Sequence, residues 1–277
     1  MSSQLLVVVA HPDDELIGTA GVIAAARRAG RRVGVAVATN GDAWQWQEHG
    51  LRRAAESIAG LALLGVPRDD VVFLGYPDGA LDRLPVFRGS PTRGIPSAGD
   101  LGDVAVGGRA TSRRLARDLA ALIGAVDPAV VYTHVPFDGH ADHATLARMV
   151  VRAAPAGLPV LGTLMHPPGA GGCLELSASR WPGPAGEPPA RFRPAADVSA
   201  PPSPACAADP VATSWGPKGE PDVLAEVPPD MQAAAEADNL KWRALSCHQS
   251  QLELGPISAG YLRAFVKRHE FFWTLAA

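Results

Sequence analysis

The chain alternates short apolar runs with segments of helical spacing. Leu5–Val9 is five apolar residues in a row, and a run without polar alternation predicts a strand covered on both faces. Leu16, Ile17, Ala20, Ile23 and Ala24 then recur at helical spacing and predict a helix from Leu16 to Ala29, closed by Gly30. Gly18 and Gly21 inside it form no GxGxxG pattern, which favours close helix–sheet packing over a dinucleotide site. The same reading predicts strands at Val33–Ala38, Val71–Leu74 and Ala129–Thr133, with helices at Gly50–Leu64, Thr111–Ala125 and His143 to about Ala154. Strand, helix and strand with short connections imply right-handed parallel βαβ units, so successive strands end on one edge. The expectation is an α/β fold, a mostly parallel sheet flanked by helices.

Two stretches break the rhythm. Residues 85–108 are rich in Gly, Pro and Ser and read as a long loop. Between Pro155 and Pro229 lie 17 of the 26 prolines, yet Trp181, Phe192 and Trp215 are kept, so a packed, loop-rich extension fits better than a polar linker. Short apolar pieces stand at Val160–Met165 and Val223–Val227. A long helix is predicted from Asp230 to about Gln251, and a helical or mixed piece from Gly260 to Phe272. This gives a single domain over 1–277, with a core at 1–154, a Gly/Pro-rich C-terminal extension at 155–229 and a closing helical segment at 230–277.

Composition narrows the classes. Hydrophobic residues at 47% and charged ones at 19% fit a globular chain, and the net charge of −3 gives no reason to expect nucleic acid. Cys173, Cys206 and Cys247 form no CxxC, so free thiols in a reducing cytoplasm are expected. The N-terminus carries no signal-peptide pattern, and no apolar run approaches the ~20 residues of a membrane span. Oligomeric state is not legible.

The chemistry concentrates where apolar strands end. Leu5–Val9 opens into Ala10-His11-Pro12-Asp13-Asp14-Glu15, and Ala129–Thr133 into His134 through His143, with His140-Ala141-Asp142-His143 at its close. Open α/β sheets place ligands at the carboxyl ends of their strands. His11, Asp14 and His143 supply two imidazoles and a carboxylate, a donor set that suits one catalytic zinc with a position left for water. Asp13 and Asp14 point apart if the backbone is extended, which leaves Asp13 as a proton carrier. His140 would donate to an oxyanion, and Asp142 would orient an imidazole. The competing reading is a solvated acidic loop capping the next helix. Asp78, in Pro77-Asp78-Gly79, also follows a strand. Trp44 and Trp46 are either a sugar-stacking pair or ordinary core.

AHPDDE, HADH, the RxxE of Arg53–Glu56, LGYPDG and the run Lys241–Gln251 together resemble the LmbE-like (PIG-L) N-acetylglucosaminyl deacetylases. The resemblance implies a Rossmann-like fold and zinc-dependent hydrolysis of an acetamide. It implies the same ligands, base and oxyanion donor as above, with Arg53 and Asp78 binding substrate. It favours a glycoside substrate, most like the pseudoaglycone of teicoplanin-type glycopeptide antibiotics. The alternatives are a mycothiol-pathway N-acetylglucosaminyl-inositol deacetylase or conjugate amidase and, outside enzymes, a sugar-binding module.

Overall fold

A computed structural model describes residues 4–42, 47–84, 110–166, 221–233, 235–266 and 268–276. Trp44, Trp46, Trp181, Phe192, Trp215, Cys173, Cys206 and the 85–108 loop lie outside them. Among the described residues seven strands form one sheet in the order β3-β2-β1-β4-β5-β7-β6. They are β1 (Leu5–Val9), β2 (Val33–Thr39), β3 (Val71–Tyr76), β4 (Val130–His134), β5 (Val160–Thr163), β6 (Val223–Glu226) and β7 (His269–Ala276). β1 to β5 run parallel, while β7 runs antiparallel to both β5 and β6.

Seven helices accompany them among the described residues: α1 (Asp14–Arg28), α2 (Gln47–Leu63), α3 (Ser112–Val126), α4 (Ala141–Ala153), α5 (Leu240–Leu245), α6 (Gln249–Leu252) and α7 (Pro256–Ala264). β1 shows why its sequence has no polar alternation. Leu5, Val7 and Val9 pack with Leu16, Ile23 and Trp242 on one face, while Leu6 and Val8 pack with Leu115, Leu119 and Leu146 on the other. Gly18 and Gly21 serve the close packing that the sequence suggested. A Cβ at Gly18 would stand 2.6 Å from Met165, and one at Gly21 2.6 Å from Val227. Strand order reverses between β1 and β4, the switch point at which such sheets bind ligands.

The C-terminal third departs from expectation. The predicted helix from Asp230 to Gln251 is a 3₁₀ turn at Pro229–Met231, then α5, then α6. Asn239 restarts the chain as a helix cap: its Oδ1 accepts from the Trp242 amide at 3.0 Å, and its Nδ2 donates to Met231 O at 2.7 Å. The predicted piece from Gly260 to Phe272 splits into the end of α7 and the strand β7. β5, β6 and β7 extend the sheet itself, so the closing segment is not purely helical. Among the described residues no helix is long and apolar enough to cross a membrane.

Candidate active site

β1 and β4 are neighbours, and the loops that leave their carboxyl ends face each other. His134, the last residue of β4, ties the two together: the Ala10 amide donates to its Nε2 at 2.9 Å. Pro12 breaks the strand, and Asp13 adopts φ 123°, a region L residues rarely enter. That conformation, rather than an extended backbone, is what separates the Asp13 and Asp14 side chains. Asp14 is the first residue of α1, and its Oδ2 accepts the His11 amide at 2.8 Å.

Three atoms able to ligate a metal converge from the two loops. His11 Nδ1 lies 3.1 Å from His143 Nε2 and 3.2 Å from Asp14 Oδ2, and His143 Nε2 lies 3.3 Å from Asp14 Oδ2. Tetrahedral zinc with bonds of 2.0–2.2 Å spaces its ligand atoms by about 3.3–3.5 Å, so the triangle fits that ion closely. His134 Nε2 is also 3.4 Å from Asp14 Oδ2, but its lone pair already accepts the Ala10 N–H, which removes it from the donor set.

The outer nitrogens of the two imidazoles face carboxylates. His11 Nε2 lies 3.0 Å from Asp78 Oδ1 and 3.2 Å from Asp142 Oδ2. Asp142 is itself fixed by the Gly79 and Leu81 amides at 2.7 and 2.9 Å. His143 Nδ1 lies 3.3 Å from Asp138 Oδ1, close but without hydrogen-bond alignment. Asp138 also accepts the amides of His140, Met165 and His166. This is the arrangement that leaves inward lone pairs for a metal.

The field of the site calls for positive charge. Burial pulls the His143 imidazole down, but Asp14 and Asp138 override it and raise its pKa to about 9. Burial likewise opposes, and Asp78, Asp14 and Asp142 outweigh it, in raising His11 well above its ordinary value. Asp14 is held well below the carboxylate range by His143 and His134 in spite of its burial. Groups that draw protons this strongly suit a cation shared among them.

Asp13 stands beside the triangle. Burial, opposed by Arg53 and aided by Asp14, raises its pKa to about 6. Arg53 donates to Asp13 Oδ2 at 3.1 Å, to Pro12 O at 2.7 Å and to Gly41 O at 2.9 Å. The structure thus places Arg53 and Asp78, expected at the substrate, against Asp13 and His11. His140 caps α4: its Nδ1 accepts the Asp142 amide at 3.3 Å, which puts a neutral ring's proton on Nε2. Burial, with His143 and His11 nearby, lowers its pKa to about 3. Its ring centroid is 4.7 Å from that of His11 and 4.6 Å from that of His143.

Four further residues reach the site without having been assigned roles from the sequence. They are His134, Asp138, His166 and Tyr261. His166 lies 5.0 Å from His143, ring to ring, and stacks on Tyr261 at 5.6 Å and 12°. It follows β5, so the strand-end rule that singled out His11 applies to it as well. Tyr261 sits on α7 with no motif around it.

Comparison with known proteins follows the same lines. The family model for the GlcNAc-PI de-N-acetylases (PIG-L) matches residues 6–154. A 1D-myo-inositol 2-acetamido-2-deoxy-alpha-D-glucopyranoside deacetylase of Nakamurella multipartita is 34% identical over 170 residues, 55% of each protein. The chain therefore spans about half the length of that curated relative. The zinc-inhibited form of teicoplanin deacetylase Orf2 superposes with TM-score 0.51 at 19% identity, covering 91% of this chain and 86% of that one. GalB, the 4-carboxy-2-hydroxymuconate hydratase of Pseudomonas putida KT2440, superposes with TM-score 0.54 at 16% identity, covering 100% and 97%. At such identities the structures speak for the fold alone, and a hydratase shares it. The family match spans both loops of the site, and by it the chain belongs to the GlcNAc-PI de-N-acetylase (PIG-L) family.

Proposed function

We propose that this protein is a metal-dependent amidohydrolase that removes the acetyl group of an N-acetylglucosaminyl unit, releasing acetate and a free glucosamine amine. One observation carries the reading: three ligand atoms on a triangle of 3.1–3.3 Å, with the Asp13 carboxylate held beside them by Arg53. His11, Asp14 and His143 would hold a single zinc ion, which when bound supplies a Lewis acid that eases the ionisation of water near pH 7. Asp13 takes the proton of the attacking water and later delivers it to the leaving nitrogen. His140 offers its Nε2–H to the amide oxygen as negative charge develops there. Asp142 and Asp78 keep the proton of His11 on Nε2, and the negative charge of Asp138, 3.3 Å from the outer nitrogen of His143, favours a proton there. Arg53 and Asp78 act first as this framework, from which they also border the sugar.

For the rest of the substrate the first reading is a glycopeptide pseudoaglycone. It is supported by the sequence resemblance to the teicoplanin-type deacetylases. The second reading, an N-acetylglucosaminyl inositol, is favoured by the 34% identity to the Nakamurella enzyme. Acetate release from both glycosides by zinc-loaded protein, side by side, separates them. Release from neither defeats the deacetylase reading, and release that survives a chelator defeats its metal dependence.

A further inference from the structure

Beneath Asp13, three segments distant in sequence meet at a buried imidazole. The Asp13 amide donates to Glu15 Oε2 at 3.0 Å, so Glu15 is part of what keeps that residue at φ 123°. The other Glu15 oxygen, Oε1, faces His248 Nε2 at 3.7 Å, and His248 Nδ1 faces Glu56 Oε2 at 3.9 Å. Glu56 in turn accepts the Ser250 amide at 2.9 Å and the Ser250 hydroxyl at 2.5 Å. His248 and Glu15 are fully buried. Yet among the described residues Glu15 Oε1 and both His248 nitrogens make no hydrogen bond. A folded protein rarely tolerates three such atoms together without a use for them.

Arg53 and Glu56 lie three apart and share a face of α2. The helix therefore reaches Asp13 twice, by Arg53 on its carboxylate and, through His248 and Glu15, on its amide. This gives both halves of the RxxE motif, and the histidine of the C-terminal run, one place to act.

We propose that His248 is a positioning residue for Asp13, acting through its Nε2 on Glu15 to keep the Asp13 carboxylate in line for proton transfer. The inference rests on the base role of Asp13 given above. His248 touches no reacting atom; its effect passes through Glu15.

Two variants of similar size separate this role from mere packing. His248→Gln places an amide nitrogen near the Nε2 position, facing Glu15, whereas His248→Asn places one near Nδ1, facing Glu56. Both are prepared with zinc at the wild-type content and assayed for acetate release from whichever of the two glycosides the wild-type protein hydrolyses. The expected result is a kcat lowered by about tenfold or more in His248→Asn, with KM within about twofold, and a kcat within about threefold of wild type in His248→Gln. On the same proteins without substrate, amide hydrogen exchange over residues 11–16 should quicken in His248→Asn and not in His248→Gln. Equal effects in the two variants, or a more damaged His248→Gln, would overturn the proposal. If the wild-type protein releases acetate from neither glycoside, the deacetylase reading fails, and the exchange comparison alone still decides whether His248 fixes Asp13.

Discussion

Helix α1 buries carboxylates at two places, and the two could hardly be treated more differently. Midway along it, Glu270 reaches in from β7: its Oε1 accepts the Gly21 amide at 2.8 Å and Lys241 Nζ at 2.7 Å, and its Oε2 accepts the Val22 amide at 3.0 Å. Every oxygen of that carboxylate has a donor, and Lys241, 1% exposed, supplies the balancing charge. At the helix start, Asp14 meets His11 and His143 through atoms that all offer lone pairs to one point. A saturated buried charge is a strut. Converging side-chain lone pairs, with only the His11 amide donating to one of them, leave room for an outside cation.

That contrast is broken most directly at the helix start. His143→Ala removes one corner of the triangle and should cost the protein its zinc and its turnover together, measured by metal analysis and acetate release. Asp13→Asn keeps all three ligands and should retain zinc while losing about 10²–10⁴-fold in kcat, the usual worth of a proton carrier. An Asp13→Asn protein turning over at the wild-type rate would remove Asp13 from the chemistry.

The second site should respond in stability rather than chemistry. Lys241→Met leaves Glu270 buried with two amides and no counter-charge, and breaking such a pair costs about 3–5 kcal/mol. Denaturant unfolding should show that loss, while zinc content and KM of the folded fraction stay at wild-type values. A gentler probe is Gly21→Ala, whose Cβ would stand 2.6 Å from Val227 and 2.9 Å from the Glu270 carboxylate. Overpacking of this kind costs about 1–3 kcal/mol and should again leave zinc content unchanged.

The two places differ just as much in how well the sequence announces them. Leu5–Val9 reads as a strand because both faces are covered, and His11 and Asp14 follow it at once, so local order suffices. His143 sits in a second cluster past a second apolar run, and the parallel connection rule brings the two together. His134 owes its place to a partner absent from its own neighbourhood, the amide of Ala10, 124 residues away. Asp138 is held by the distant Met165 and His166 amides as well as by the near one of His140. Arg53 is visible as a charged residue on a helix, but its grip on Pro12 O and Asp13 depends on how α2 lies over the loop. The Glu270 strut is hidden altogether. Its strand is covered on both sides, follows directly after a helix, and reads Glu-Phe-Phe-Trp with no period to mark it. The break in the predicted 230–251 helix before Leu240 is of the same kind, since helix formers surround Asn239 and its cap depends on side-chain contacts with Trp242 and Met231.

Asn239 also offers the finest test of the comparison, because it starts the short helix that carries Lys241. Its Oδ1 caps Trp242, while its Nδ2 donates to Met231 O at 2.7 Å and Ala233 O at 3.0 Å. Thr111 caps α3 with one bond only, accepting the Arg114 amide at 3.1 Å. Loss of a helix cap costs about 0.5–2 kcal/mol, so both Ala variants should lower stability modestly. Asn239→Ala also strands the Met231 carbonyl in the core, and should therefore cost about 1 kcal/mol more than Thr111→Ala. At about 2–4 °C per kcal/mol for chains near this size, the gap in Tm is measurable by calorimetry. Neither variant should change zinc content, since neither cap touches His11, Asp14 or His143. A loss of zinc in Asn239→Ala would mean that the Lys241–Glu270 strut and the ligand triangle are coupled through α1 after all.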